Sequence, residues 1–137
     1  MNISETKIKV RYVETDQMGI VHHSNYYAWF EVGRTEFIKE SGVSYSDMES
    51  KGIMMPLVES SCRYIVGAKY EDEVTIKTSV EELNGAKVIF TYEVIRDVDK
   101  VILAKGKTVH AFVNKDFKII NLKKNNIDIW NKIQGLL

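Results

Sequence analysis

The chain has 137 residues, with 19 basic side chains against 19 acidic ones, 45% hydrophobic residues, a single Pro and a single Cys. That length suits one domain spanning 1–137, because a fold of this size buries roughly two-thirds of the surface its unfolded chain exposes. The lone Cys62 excludes an intramolecular disulfide and a cysteine-built zinc site and makes the reducing cytoplasm the expected compartment, while zero net charge argues against a general nucleic-acid binder. No apolar run approaches the ~18 residues of a membrane span, and the stretch from Met1 to Lys7 lacks the apolar core of a signal peptide.

No repeat, low-complexity tract or Pro/Gly/Ser linker divides the chain. From Ile8 to Val13, alternation of Ile8, Val10 and Tyr12 with Lys9 and Arg11 predicts a first strand. A Gly-containing loop follows. From Asn25 to Lys39, Tyr26, Phe30, Gly33 and Phe37 fall at spacings of four, three and four, the stripe of an amphipathic helix widened by Trp29 and Ile38. Ser24 or Asn25 is placed to cap its start and Gly42 lies past its end. Gly33 costs about 1 kcal/mol against Ala in a helix, so its place on the stripe predicts close backbone approach, with Ala104 and Gly106 as the expected contact. A short second helix begins at the capping-box pattern Ser44-Tyr45-Ser46-Asp47 and stops at Lys51-Gly52.

The rest reads as strands. Pro56 fits only a strand start, an edge or a bulge, and 57–65 then runs extended. Val74, Ile76, Thr78 and Val80 share a face, Asn84-Gly85 signals a hairpin, and Val88, Phe90, Tyr92 and Val94 continue beyond it. After a turn at 97–100, a long strand over 101–113 carries Ala104, Gly106, Thr108 and His110 on one face. A last strand over 117–120 and an amphipathic end with Ile127, Trp130, Ile133 and Leu137 complete the chain. The fold class is α+β, one long helix covering one face of an antiparallel sheet. The uncovered face or an edge strand is the expected place for self-association.

Chemistry concentrates in Thr15–Tyr26, the connection between the first strand and the long helix. Asp16 can act as base or nucleophile, His23 can move a proton, and the helix starting near Asn25 offers unpaired N–H groups at its positive end. A carbonyl docked there is polarised and its oxyanion stabilised, and Gly19 lets the loop turn tightly or approach a ligand. Acyl transfer fits this set. The bland alternative makes Asp16 a turn residue bonded to its own backbone. Adjacent His22 and His23 do not reproduce a zinc-ligand spacing, and nothing implies a metal or cofactor.

An aromatic four positions before an Asp, then Gly-x-Val, a His seven positions after the Asp, and Asn-Tyr opening the helix are supplied by Tyr12, Asp16, Gly19, Val21, His23, Asn25 and Tyr26. This pattern resembles the hot-dog-fold acyl-CoA thioesterases of the 4-hydroxybenzoyl-CoA thioesterase type, most closely the YbgC-like branch. The likeness extends through 31–36, 56–59, Arg63-Tyr64 and 70–72, covering roughly residues 5 to 120. It implies a central helix wrapped by an antiparallel sheet, with chains paired into a homodimer or homotetramer. It also implies an acyl-CoA substrate, or the same thioester on an acyl-carrier protein. Asp16 then maps to the family nucleophile or general base, His23 to the thioester contact whose backbone N–H polarises the carbonyl, and Tyr12 to an active-site aromatic. The departures are His22, where many relatives carry Tyr, and the acidic residue preceding the Asp, here Glu14.

Glu31 and Arg34, three apart on the helix, suit an ordinary ion pair, with substrate lining as the other role for Glu31. Glu59 either faces a partner's site or is solvated. Cys62 suits a buried small hydrophobe and His110 a hydrogen-bonded core residue. The expected activity is hydrolysis of a small or medium acyl-CoA. A noncatalytic acyl-CoA-binding or assembly module is the rival. Dehydration of a hydroxyacyl thioester ranks below both, because the dehydratase signature is absent around His22-His23.

Overall fold

The computed structural model describes residues 2–137. In chain order it contains β1 (Ser4–Lys9), a 3-10 turn (Tyr12–Glu14), α1 (Ser24–Lys39), α2 (Tyr45–Ser50), β2 (Leu57–Tyr64), β3 (Glu73–Leu83), β4 (Lys87–Arg96), β5 (Ile102–Ala111), α3 (Leu122–Asn125) and α4 (Ile127–Gln134). The strands form one antiparallel sheet in the order β1-β3-β4-β5-β2, and α1 lies across one face. The α+β class expected from the sequence is the class observed.

The core lies between α1 and the inward residues of the three central strands. Tyr26, Phe30, Gly33 and Phe37 point to the sheet, which presents Val74, Ile76, Thr78 and Val80 from β3 and Val88, Phe90, Tyr92 and Val94 from β4, all buried. Phe30 stacks on Tyr92 with ring centroids 4.4 Å apart. Both glycines expected at the helix crossing are needed, but not against each other. A Cβ on Gly33 would lie 2.6 Å from Thr78 Oγ1 and 3.0 Å from Ile76 Cγ2, so α1 approaches β3 there. The bare backbone at Gly106 on β5 receives the Phe30 ring instead. Sequence alternation located both small positions but not which partner each would meet.

Other boundaries shift for local reasons. The first strand runs earlier than expected: the Val10 N–H still bonds Asp72 O at 2.9 Å, but Glu14 Oε1 then captures the Arg11 N–H at 2.8 Å and bends the chain into the 3-10 turn holding Tyr12. Neither Ser24 nor Asn25 caps α1 with its side chain; His22 Nδ1 accepts from the Ser24 N–H at 3.3 Å, and Asn25 Nδ2 donates to Glu14 O at 2.9 Å. The α2 capping box is present as expected, with Ser44 and Asp47 bonded reciprocally. At 117–120 there is no strand, only a bridge between Val113 and Ile119 closed by an Asn114-centred turn. The C-terminal segment breaks at Asn126, whose side chain caps α4, and this rotates the buried stripe to Ile129, Trp130, Ile133 and Leu136, leaving Ile127 and Leu137 exposed.

The face of the sheet away from α1 is charged. Glu5–Lys77 and Glu93–Lys105 at 3.7 Å and Lys107–Glu81 at 2.9 Å form ion pairs across it. Apolar exposure concentrates instead along edge strand β2 and its exit, at Leu57, Val58, Tyr64, Ile65 and Val66. Of the two sites expected for self-association, the edge strand has the apolar surface.

Candidate active site

The loop between the 3-10 turn and α1 is held from below by Glu14. This residue is 4% exposed, and Oε2 accepts from Trp29 Nε1 at 2.8 Å while Oε1 accepts from the Arg11 N–H. Its main-chain carbonyl accepts from both the His22 N–H at 2.8 Å and Asn25 Nδ2. One residue therefore ties the strand exit to the helix entry. Above it, Thr15 and Val21 bridge, the Asp16 N–H donates to Ile20 O at 2.9 Å, and the Gly19 N–H returns to Asp16 O at 3.0 Å. Gly19 has φ +79°, a left-handed conformation that a side chain would strain.

Asp16 takes the turn position that the sequence offered. Oδ1 accepts from the Met18 N–H at 2.8 Å, the bond of a turn residue to its own backbone. Oδ2 has no hydrogen-bond partner among the described residues. At the head of α1, the Asn25 and Tyr26 N–H groups bond His22 O and His23 O, while the His23 N–H has no acceptor among the described residues. This leaves one free donor at the positive end of the helix dipole.

Asp16 and His23 border the same cleft, of about 320 Å³, together with Val21 and Tyr26. Tyr26 is buried, which pushes its phenol up from its usual pKa. The remaining wall was not foreseen from the sequence: Met18 and Ile20 on the loop, and Tyr64, Ile65, Val66 and Gly67 where β2 ends. Its signal lay in the apolar run after Arg63, which reads equally well as ordinary strand. Tyr64 packs edge-on against Tyr26 at 5.3 Å and against the His23 ring at 6.2 Å, and its hydroxyl donates to His23 O at 3.4 Å. Larger, more open hollows lie between α1 and β1 and on the charged sheet face, but neither joins a carboxylate to a free helix N–H.

The other expected site residues lie outside this cleft. Tyr12 is 75% exposed and packs edge-on against Tyr70 at 5.6 Å, in an open groove on the far side of Asp16. Asn25 holds the loop through Glu14 O. Glu31 and Glu59 are exposed and do not border the cleft. The Glu31–Arg34 ion pair is not formed: Arg34 turns inward, where Nε donates to Tyr45 OH at 3.0 Å and Nη1 to Tyr92 OH at 3.1 Å. Cys62 is half-buried beside the core, and burial pushes its thiol up, away from a reactive thiolate.

The model of the family described as the thioesterase-like superfamily matches residues 10–127. The chain belongs to this superfamily. A relative in Bacillus subtilis, the putative acyl-CoA thioesterase YneP, is 41% identical over 125 residues, 90% of each chain. The acyl-CoA thioesterase YbgC of Haemophilus influenzae is 29% identical over 108 residues, 78% of each. Among solved structures, a DHNA-CoA thioesterase from Staphylococcus aureus superposes with a TM-score of 0.91 at 35% identity, covering 99% of this chain and 93% of the other. The hot-dog thioesterase resemblance read from the loop and helix is thus borne out across nearly the whole chain, and the protein is a thioester hydrolase. In this thioesterase the loop and helix start that carried the resemblance also border the cleft.

Proposed function

We propose that the protein hydrolyses a small or medium acyl-CoA to the carboxylic acid and free CoA, with Asp16 as nucleophile or general base and the start of α1 as oxyanion site. The supporting observation is that an aspartate with a free carboxylate oxygen and a helix start with a free N–H border one largely apolar cleft. The acyl-CoA class is supported by the activities named for YneP, YbgC and the Staphylococcus aureus enzyme. In this reading the acyl group lies along Ile20, Tyr26 and Tyr64 and the thioester carbonyl oxygen faces the His23 N–H. As general base, Asp16 takes a proton from water while the water oxygen bonds to the carbonyl carbon and the C=O pair moves onto oxygen. Collapse of that oxyanion breaks the C–S bond, and the departing CoA thiolate takes the proton back. As nucleophile, Asp16 bonds the carbon itself, CoA leaves as thiolate, and water cleaves the resulting anhydride. In both routes the His23 N–H stabilises the oxyanion, a donor of a kind worth on the order of 10²–10³ in rate.

The working unit in this proposal is a homodimer joined along β2, or a homotetramer of such dimers, acting in the reducing cytoplasm. The Met18 bond to Asp16 Oδ1 supports a second reading, in which Asp16 only caps a turn and takes no part in the hydrolysis. Thiol release from an acyl-CoA panel, measured for wild type and Asp16→Asn, decides between them. The expected loss is at least about 10²-fold in kcat. Full retention of activity removes Asp16 from the mechanism and leaves it a turn residue.

A further inference from the structure

Ile20 belongs to two structures at once. Its side chain borders the cleft, and its carbonyl accepts the Asp16 N–H at 2.9 Å, closing the turn that carries the carboxylate. That side chain rests on bare backbone: a Cβ at Gly67 would lie 2.6 Å from Ile20 Cγ2 and 2.9 Å from Ile20 Cβ. Contact at Cβ, and not only at the flexible tip, means that the loop main chain sits as close to the β2 exit as a glycine permits. Gly19, with φ +79° and nothing within 4 Å of its absent Cβ, gives the loop open space on its other side. Further along, the Val21 N–H is fixed to Ala68 O at 2.8 Å, so the turn from Asp16 to Ile20 ends at an anchored residue.

We propose that Ile20 is a positioning and specificity residue: an acyl group filling the cleft presses on Ile20, and Ile20, through its carbonyl and its seat on Gly67, sets where the Asp16 carboxylate stands against the thioester. This rests on Asp16 being the catalytic carboxylate. Acyl groups too short to reach Ile20 leave the turn unbraced and react slowly, whereas groups that reach it gain rate and not only affinity. Such a gain is large for a small displacement, since a reacting group misplaced by about 1 Å can lose about 10² in rate.

The test compares kcat and KM for acetyl-CoA, hexanoyl-CoA and benzoyl-CoA in wild type, Ile20→Val, Ile20→Ala and Gly67→Ala, with thermal melts to confirm that each variant is folded. The wild-type kcat is expected to rise from acetyl-CoA to benzoyl-CoA. Ile20→Ala is expected to shrink the benzoyl-to-acetyl ratio of kcat by about tenfold, Ile20→Val by less, and Gly67→Ala, which lifts Ile20 from its seat, to shift the same ratio. An unchanged ratio with kcat reduced equally for every substrate marks a purely structural role and overturns the proposal. So does an effect confined to KM, or a wild-type kcat that does not depend on the acyl group. If Ile20→Val alone is folded, its ratio decides. Failure of the Asp16 reading shows separately, as full activity of Asp16→Asn on all three substrates.

Discussion

His110 sits 2% exposed beneath α1, in a line of hydrogen bonds whose direction is fixed by chemistry. The Met55 carbonyl can only accept, so His110 Nδ1 carries the proton and donates to it at 3.1 Å. Nε2 then accepts from Thr108 Oγ1 at 2.9 Å, which accepts from Tyr92 OH at 2.7 Å, which in turn accepts from the Arg34 guanidinium. A proton on Nε2 would break this line while adding a second buried cation near Arg34. Burial first, and the charge of Arg34 second, accordingly hold the His110 pKa down at about 4, against 6.5 for the free side chain. Because the native value lies below the unfolded one, the unfolded chain binds the extra proton between the two. The contribution is complete above pH 6.5 and disappears as the pH falls toward 4. Between pH 7 and pH 5 the wild type should therefore lose about 2 kcal/mol more unfolding free energy than His110→Gln, measured by urea denaturation at both values. Equal losses would show that His110 is protonated as readily in the fold as out of it. The sequence marked His110 as a hydrogen-bonded core residue, but it could not show that Arg34, assigned to a surface pair with Glu31, supplies the charge at the far end of the same line. That assignment depends on which side of α1 faces α2, which helical spacing alone does not specify.

At the scale of elements, regular packing was legible and close contacts were not. Period-two runs located β3, β4 and β5, and the spacing of Tyr26, Phe30, Gly33 and Phe37 located α1, because both patterns are imposed by one buried face. The loop with Asp16 and His23 was legible through residue chemistry. The cleft wall at Ile65 and Val66 was not, because these residues lie where β2 gives way to irregular backbone, with both N–H groups turned to the single carbonyl of Leu103 at 2.8 and 3.1 Å. The Asn84-Gly85 turn was expected on conformational grounds, yet Gly85 does not have positive φ; its missing Cβ makes room for Asn121, and its carbonyl accepts the Leu122 N–H at 2.7 Å, seating α3. Gly33 offers the sharpest test of such a contact. Alanine there gains about 1 kcal/mol of helix propensity, but its Cβ would meet Thr78 Oγ1 at 2.6 Å between two close-packed layers. Overpacking costs about 1–3 kcal/mol, so Gly33→Ala should lower stability on balance. Thr78 Oγ1 is buried without a hydrogen-bond partner, so removing it forfeits no bond. The double variant Gly33→Ala/Thr78→Ala should then be more stable than the sum of the single changes, as read from chemical denaturation of all four proteins. Additive effects would place the cost of Gly33→Ala elsewhere than at this contact.

For the whole molecule the question is which surface a second copy would cover. The helix-free sheet face presents exposed ion pairs of alternating sign, each worth little and none asking to be buried. The β1 edge carries Glu5, Lys7 and Lys9, charges of the kind that discourage strand pairing. Edge strand β2 differs: it is eight residues long, has no lysine, and begins with Leu57 and Val58 at 54% and 65% exposure. Its far end, Tyr64, walls the cleft, so whatever pairs with β2 also approaches the site. Two copies joined edge to edge along β2 would continue the sheet, satisfy the open backbone groups and cover the exposed Leu57 and Val58. If so, light scattering of the wild type should give a mass of at least twice 15.8 kDa. Leu57→Lys/Val58→Lys places on β2 the residue that natural edges use against pairing, at positions that no packing in the single chain requires. This variant should keep its circular dichroism, fall to the mass of one chain, and lose thioester hydrolysis in proportion to the dimer lost. Restoration of mass and activity together on raising protein concentration would show that pairing, not local damage, controls the site. A wild type that remains at one chain's mass while fully active would remove β2 pairing from the function altogether.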